Sequence, residues 1–206
     1  MRLILASASP RRAELLRAAG YAFEIVPADV DESAGPGERP ENYVRRVAAE
    51  KARAVLCRFP DCTVLAADTT VVVDGAILGK PSDDEDARHM LARLSGRAHR
   101  VLTGVVVAGG GREAGAVAST LVRFAVLTPA DIDWYIASGE ACDKAGAYGV
   151  QGLASRFVTG IEGSYSNVVG LPVALVHTLL RELGFSVAAQ GPPGGRGDGS
   201  EPIDRT

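Results

Sequence analysis

The chain opens with Arg2-Leu3-Ile4-Leu5-Ala6-Ser7-Ala8-Ser9-Pro10-Arg11-Arg12, an apolar run followed at once by a turn. The apolar run predicts a short strand over residues 2–6. Ser9 is a preferred N-cap and Pro10 suits the first helical position, so a helix is expected to begin there and to end near Gly20. A strand that leads directly into a helix is the basic unit of α/β proteins.

Strands and helices continue to alternate downstream, and hairpins interrupt them. Because parallel units and hairpins are both indicated, the sequence predicts an α/β protein with a mixed sheet and flanking helices. The predicted helices cover 41–58, a segment with a capping box at Ser82 and Glu85, a segment from Thr128 to near Gly139, and a segment from Pro172 to Gly184. The predicted strands cover 22–27, 63–67, 69–73, 98–108, 115–126 and 185–189, with an acidic loop at 31–40 and a hairpin turn at Asp74-Gly75. We expect a single domain over 1–189 and a disordered tail over 190–206, where Gly, Pro and charge show no periodicity.

Composition excludes several classes of protein. The net charge of the 206 residues is -3, so no broad positive surface is available for nucleic acid. No apolar run approaches the ~18 residues of a membrane span, and the apolar N-terminal run is too short for a signal peptide. The odd number of cysteines (Cys57, Cys62 and Cys142) indicates small core residues in a reducing cytoplasm rather than disulfides or zinc ligands.

The turn at Ser7–Arg12 carries an electrostatic anomaly. The first turn of a helix favours acidic residues because the N-terminus of a helix is partly positive. Here Arg11 and Arg12 occupy that turn, which is favourable if both bind an anion such as a phosphate. The alternative is that Ser9 caps the helix and the arginines are solvated, and the local pattern leaves the two open.

Lys51 and Asp68 are candidates because each is a charge in apolar surroundings. Lys51 falls on the apolar stripe of the 41–58 helix, where it either snorkels to the edge, the commoner case, or points into a cleft. Asp68 ends an apolar strand, where a carboxylate can hold a metal ion or activate water, although it could also be a turn residue.

Three further candidates lie in loops. Glu32 could supply a second carboxylate, or it could be a solvated acid of the 29–32 stretch. Lys80 follows the predicted hairpin and is a weak candidate by itself. The glycine-rich segment 143–152 allows a ligand to approach the backbone closely, and Gln151 within it could contact a base edge. A simple glycine-rich connector is the alternative.

Several motifs in order along the chain resemble those of the Maf nucleotide pyrophosphatases, from residue 2 to about residue 185. They are Leu3-Ile4-Leu5-Ala6-Ser7-Ala8-Ser9-Pro10-Arg11-Arg12, Ala49-Glu50-Lys51-Ala52, Ala67-Asp68-Thr69, Gly79-Lys80-Pro81, Ser95-Gly96-Arg97, Thr103-Gly104-Val105, and Asp143-Lys144-Ala145-Gly146-Ala147-Tyr148-Gly149-Val150-Gln151-Gly152. The resemblance implies an elongated mixed α/β fold with two lobes around a central cleft, similar to the inosine triphosphate pyrophosphatases. It also implies hydrolysis of a nucleoside triphosphate to a monophosphate and pyrophosphate with a divalent cation, Mg²⁺ or Mn²⁺.

The resemblance also implies roles for individual residues. Asp68 is expected to accept the proton of the attacking water, and Asp68 or Glu32 to hold the metal ion in part. The matching positions for substrate choice are Arg12, Thr69 and Gln151, and those for phosphate contacts are Ser7, Arg11, Lys51 and Lys80.

The 143–152 motif and Gly163-Ser164-Tyr165-Ser166-Asn167-Val168-Val169-Gly170-Leu171-Pro172 are similar to the family's dTTP/UTP branch. Modified pyrimidine nucleotides stay open as substrates. The alternatives are the branch that acts on 7-methyl-GTP, and a nucleotide-binding regulator of septum formation with little turnover. The sequence also leaves the oligomeric state open, a homodimer included.

Overall fold

The strand, turn and helix at the N-terminus form as the sequence predicts. In the computed structural model, which describes residues 2–185, strand β1 (Leu3–Leu5) is followed by helix α1 (Pro10–Ala18). Ser9 is the N-cap, and its side chain accepts a hydrogen bond from the backbone N–H of Arg12 at 3.5 Å. Residues of β1 and α1 that face inward, such as Leu5 and Leu16, are fully buried and anchor this unit to the core.

The described residues form a seven-stranded mixed sheet with helices packed on it, which confirms the predicted fold class. The remaining strands are β2 (Glu24–Ile25), β3 (Thr63–Val73), β4 (Ala76–Leu78), β5 (Ala98–Gly109), β6 (Arg112–Phe124) and β7 (Val158–Glu162). The remaining helices are α2 (Pro40–Leu56), α3 (Asp84–Leu94), α4 (Pro129–Ala137), α5 (Tyr165–Val169) and α6 (Val173–Glu182), with 3₁₀ turns at Ala145–Ala147 and Leu153–Phe157. The strand order is β2-β1-β3-β5-β6-β7, with β4 paired to β3. β1 is parallel to both of its neighbours, β2 and β3, whereas the pairs β3–β4, β3–β5, β5–β6 and β6–β7 are antiparallel.

β3 corrects the prediction of two strands that meet at Asp68. It is one strand of eleven residues, and its pairing with β5 continues through Asp68, which lies opposite Gly104. Asp68 is buried at this position. The strand continues because the carboxylate has a cationic partner, Lys51, so that its charge can be accommodated inside the sheet.

The cap of α3 and the length of two strands also differ from prediction. Asp83, not Ser82, is the N-cap, and it accepts from the backbone N–H of Asp86 at 2.8 Å. An aspartate there also complements the helix dipole. β2 is shorter than the predicted 22–27, and β6 begins at Arg112 because Gly110 and Gly111, both with positive φ, complete the turn in two residues.

Other predictions concern residues on the surface or at the C-terminus. Cys62 is buried as expected, but Cys57 and Cys142 are exposed, so for those two the prediction of core residues was wrong. The predicted strand at 185–189, apart from its first residue, and the tail at 190–206 lie outside the described residues. Within 2–185, none of the helices is long and apolar enough to cross a membrane.

Two separate regions of hydrophobic core share the long central strands. One is built by β1, α1 and α6 around residues such as Leu16 and Leu180, and α2 packs on the opposite side of the same strands. The other lies around Leu91, Tyr135 and Phe157, where α3 and α4 pack. β3 and β5 contribute to both regions, so residues midway along β3 lie where the two meet.

Gly104 on β5 lets α2 approach the sheet closely. A Cβ atom on Gly104 would lie 2.2 Å from the carbonyl oxygen of Val44 and 2.8 Å from the backbone N of Arg45. No larger residue fits between the strand and this helix. The same helix carries Lys51, so the close packing also determines how far Lys51 reaches toward β3.

Candidate active site

A cleft of about 810 Å³ brings together all the candidate site residues. It is lined from both core regions: by the N-terminal turn, α2 and the middle of β3 on one side, and by the segments 79–80 and 140–152 on the other. The candidates that line it are Ser7, Arg11, Arg12, Glu32, Lys51, Asp68, Thr69, Lys80 and Gln151.

A buried lysine links two carboxylates in this cleft. Lys51 Nζ lies 2.8 Å from Asp68 Oδ1 and 2.8 Å from Glu32 Oε1. The lysine and aspartate side chains are only 8% and 6% exposed, whereas that of Glu32 is 49% exposed. Lys51 therefore points into the cleft, and snorkelling, the commoner alternative, is wrong here.

Asp68 keeps one oxygen free of protein partners. Its Oδ1 accepts from Lys51, but its Oδ2 is buried and has no hydrogen-bond partner within residues 2–185. An unpartnered carboxylate oxygen is costly to bury, and such groups are typical of reactive sites. This oxygen could accept a hydrogen bond from water or contact a cation.

Arg12 crosses the cleft and is held at three of its nitrogens. Its Nη1 donates to Ser7 Oγ at 3.2 Å, its Nη2 to Thr69 Oγ1 at 3.0 Å and its Nε to the Gly170 carbonyl at 2.9 Å. Burial lowers the pKa of Arg12 from its ordinary value, and the negative charges of Asp68 and Glu32 oppose that shift. An arginine stays charged in proteins, so the guanidinium presents a fixed positive group to a ligand. Arg12 is thus not a solvated arginine.

Arg11 and Lys80 lie nearer to solvent. Arg11 Nη1 is 3.4 Å from Asp143 Oδ2, an ion pair between the N-terminal turn and the glycine-rich segment across the cleft. Lys80 is exposed and forms no ion pair within the described part of the chain. The backbone N–H of Gly146 donates to the carbonyl of Gly79 at 2.9 Å, which ties the glycine-rich segment to the residue before Lys80.

Gln151 lies on the exposed side of the cleft, and within residues 2–185 its side chain forms no hydrogen bond. The segment before it bends sharply at Gly146 and Ala147, both with positive φ. A Cβ on Gly146 would lie 2.8 Å from a methyl carbon of Val71, so glycine allows this segment to pack against β3. The geometry thus leaves the Gln151 amide available to a ligand.

Sequence analysis missed several lining residues, including Tyr43 and Glu140. The Tyr43 hydroxyl donates to the backbone carbonyl of Glu32 at 3.0 Å, and burial, followed by the charges of Asp68 and Glu32, raises the pKa of Tyr43 to about 12. The sequence did contain a signal for Tyr43. This residue lies eight positions before Lys51 in α2, about two turns away on the same face of the helix. No sequence signal distinguished Glu140 from a solvated acid.

A divalent cation fits this site only with help from a ligand. Within residues 2–185, no group of three or more His, Cys, Asp or Glu side chains is placed to hold a metal ion. Two carboxylates, Asp68 and Glu32, do meet around Lys51, and Asp68 Oδ2 is unpartnered. Mg²⁺ commonly takes one or two carboxylates and completes its shell with phosphate oxygens and water, so these residues suit it when a polyphosphate is bound.

The sequence matches one protein family and many known proteins over most of its length. The model described as "Maf-like protein" matches residues 2–183. The chain is 56% identical over 206 residues to the dTTP/UTP pyrophosphatase of Anaeromyxobacter sp. (strain Fw109-5), covering 98% of both chains. It is 52% identical over 193 residues to the dTTP/UTP pyrophosphatase of Shewanella oneidensis, covering 90% of this chain and 100% of that protein.

Among solved structures, the Ham1 protein of Staphylococcus aureus matches with a TM-score of 0.44 and 14% identity, covering 60% of this chain and 72% of that one. That likeness is too weak to support an argument, whereas the family model and the sequence relatives cover nearly the whole chain. The chain belongs to the Maf-like protein family.

Proposed function

We propose that this protein hydrolyses dTTP and UTP to the nucleoside monophosphate and pyrophosphate. The observation that carries the proposal is the buried Lys51–Asp68 pair, which lies in the same cleft as Arg12. Relatives at 50–56% identity bear the name dTTP/UTP pyrophosphatase, which favours these two nucleotides over 7-methyl-GTP. We place the reaction in the cytoplasm, where nucleoside triphosphates are made and used.

The cationic side chains would hold the triphosphate. The cleft is lined by five cationic side chains against four carboxylates: Arg11, Arg12, Lys51, Lys80 and Lys144 against Glu32, Asp68, Glu140 and Asp143. Ser7 would add a hydroxyl next to Arg12, as its Oγ already contacts the guanidinium. Such an array neutralises phosphate charge and aligns the α-phosphorus for in-line attack.

Asp68 would accept the proton from the attacking water. Lys51 holds Oδ1, so the unpartnered Oδ2 is the atom placed to take the proton. The water oxygen bonds to the α-phosphorus, the bond from that phosphorus to the bridging oxygen breaks, and pyrophosphate leaves. When bound, Mg²⁺ or Mn²⁺, held partly by Glu32 and partly by phosphate oxygens, would withdraw charge from the phosphates and leave Asp68 Oδ2 to accept the proton.

The product of the reaction tests the proposal directly. We expect a panel of nucleoside triphosphates, assayed with Mg²⁺ or Mn²⁺, to show dTTP and UTP as best substrates, with pyrophosphate as the first product and no turnover in EDTA. Orthophosphate as first product would contradict cleavage between the α and β phosphates. A preference for 7-methyl-GTP would assign the protein to the branch of the family that acts on that nucleotide.

The variant Asp68→Asn distinguishes an enzyme from a nucleotide-binding regulator with little turnover. It should abolish turnover while nucleotide binding, followed by calorimetry, stays measurable. Asp61→Asn, at an exposed turn that does not line the cleft, is the control. Wild-type turnover in Asp68→Asn removes Asp68 from the mechanism, and binding without turnover in the wild-type protein would favour a regulator of septum formation.

A further inference from the structure

We propose that Glu140 is a positioning residue that fixes the backbone position of Gln151 and thereby the choice of nucleotide base. The inference deepens the proposed function, because it rests on the assignment of Gln151 to contact with the base. Glu140 lines the cleft, and its carboxylate is bonded to the segment that carries Gln151 rather than to a cation.

The position of Gln151 is set by the backbone on either side of it. Its side chain has no hydrogen-bond partner within residues 2–185, so neighbouring side chains do not hold it. Two residues before it, the backbone N–H of Gly149 donates to the Tyr135 hydroxyl at 3.3 Å. Two residues after it, the backbone N–H of Leu153 donates to Glu140 Oε2 at 2.8 Å.

A single carboxylate controls both of these anchors. The Tyr135 hydroxyl donates to Glu140 Oε1 at 3.0 Å, so the acceptor of the Gly149 bond is itself oriented by Glu140. Tyr135 is fully buried, and burial followed by the Glu140 charge raises the pKa of its phenol, which keeps the proton needed for this bond. The segment is therefore bonded to Glu140 directly through the Leu153 N–H and indirectly, through the Tyr135 hydroxyl, at Gly149.

The backbone is shaped to fit that carboxylate. A Cβ on Gly152 would lie 2.3 Å from both carboxylate oxygens of Glu140, so a larger residue at this position would displace the carboxylate from its two hydrogen bonds. The other end of Glu140 is also fixed, because its backbone carbonyl accepts from Lys144 Nζ at 2.8 Å. Removal of the carboxylate leaves the Leu153 N–H and the Tyr135 hydroxyl without these acceptors and frees the segment to shift.

The physical consequence is a loss of base discrimination rather than of chemistry. Gln151 distinguishes bases through the donor and acceptor pattern of its amide, and this works only if the backbone places the amide within hydrogen-bond distance of the base edge. The proposed proton acceptor, Asp68, has no hydrogen bond with Glu140. We expect Glu140→Ala to lower the ratio of kcat/KM for dTTP to that for dCTP by about tenfold, mainly through the KM for dTTP.

Glu140→Gln is the matched conservative variant. Its amide oxygen can accept from the Leu153 N–H while its amide nitrogen donates to the Tyr135 oxygen, so it should restore most of the discrimination. Glu182→Ala, whose side chain makes no contact with the cleft, is the control for a removed surface charge. If Glu140→Gln behaves like Glu140→Ala, the positioning role is overturned in favour of an effect of charge.

The decisive experiment is a double-mutant cycle with Gln151→Ala. If Glu140 acts through Gln151, Glu140→Ala adds no loss of discrimination in the Gln151→Ala background. Additive losses, or an equal fall in kcat/KM for both nucleotides, would show a merely structural residue. Tyr135→Phe removes the Gly149 anchor together with the Tyr135–Glu140 hydrogen bond, keeps the Leu153 anchor, and replaces Glu140→Ala in the cycle if that variant does not fold. If Gln151→Ala itself leaves the nucleotide ratio unchanged, the assignment of Gln151 fails, and the inference with it, while pyrophosphate release would still support the enzymatic activity.

Discussion

Gly104→Ala is a test of how the fold places Lys51. The added methyl would lie 2.2 Å from the carbonyl oxygen of Val44 and 2.5 Å from its carbonyl carbon. Ordinary contacts between such atoms are about 3.5 Å. Helix backbone cannot rotate away as a flexible side chain can, so α2 must retreat from β5 by about 1 Å.

That retreat has two measurable costs. Overpacking of this kind typically lowers the free energy of unfolding by about 1–3 kcal/mol, and contact with backbone favours the upper end. Lys51 lies two turns along the same helix, and its two ion-pair distances of 2.8 Å would lengthen beyond hydrogen-bond range. A shift of about 1 Å in a catalytic group can reduce turnover about a hundredfold.

Pyrophosphate release and urea denaturation measure the two effects separately. Gly160→Ala is the matched control, because Gly160 is also a strand glycine, has ordinary φ, and a Cβ there would meet only Arg123 Nη1 at 3.9 Å. We expect the control to keep wild-type stability and turnover. Wild-type stability and turnover in Gly104→Ala would refute the argument that close packing of α2 places Lys51.

Three other substitutions probe the remaining parts of the site. Arg12→Ala should raise KM and lower kcat in steady-state assays, and a change in thermal stability alone would favour the alternative in which this turn only caps the helix through Ser9. Burial lowers the pKa of His99 from 6.5 to about 4. Between those pH values the unfolded state binds more protons than the folded state. The free energy of unfolding of the wild-type protein should therefore fall by about 3 kcal/mol as the pH drops from 6.5 to 4. In urea titrations across that range His99→Phe should lose this part of the pH dependence, and an unchanged slope would contradict it. Asp143→Asn frees Arg11 from an ion pair that is partly exposed and worth at most about 1 kcal/mol. The KM should therefore stay equal or fall by up to about fivefold. A clear rise in KM would show that Asp143 helps to hold the substrate.

Local signals predicted most of the secondary structure from the sequence. The helix at Pro10 formed because its cap and first residue are encoded side by side, and the same holds for α4, where Thr128 and Asp131 form a capping box. The acidic start of α3 was assigned to the wrong cap because Ser82 and Asp83 are adjacent and both suit the position. Such choices depend on the course of the chain before the helix, which the sequence pattern does not specify.

Long-range contacts were the harder part of the site. The direction of Lys51 depends on Asp68, seventeen residues away on another element, and no helical periodicity contains that information. Glu140 was missed for the same reason, since its role depends on contacts with Tyr135 and Leu153. An acidic residue near a glycine-rich segment is usually solvated. Only the structure shows that the Glu140 carboxylate accepts hydrogen bonds from the Leu153 backbone and the Tyr135 hydroxyl.

Lys51 and Asp68 were each anomalous by themselves, and the structure explains one anomaly by the other. A lysine on an apolar helical stripe and an aspartate inside an apolar strand would each be costly to bury alone, but buried charges are normally paired. The pair is not a source of stability, because removal of both charges from water offsets much of their attraction. A buried pair that leaves one oxygen, Asp68 Oδ2, without a partner is less stable still. A buried carboxylate with one unpartnered oxygen suits a site for proton transfer. A purely structural role therefore explains Asp68 within β3 less well.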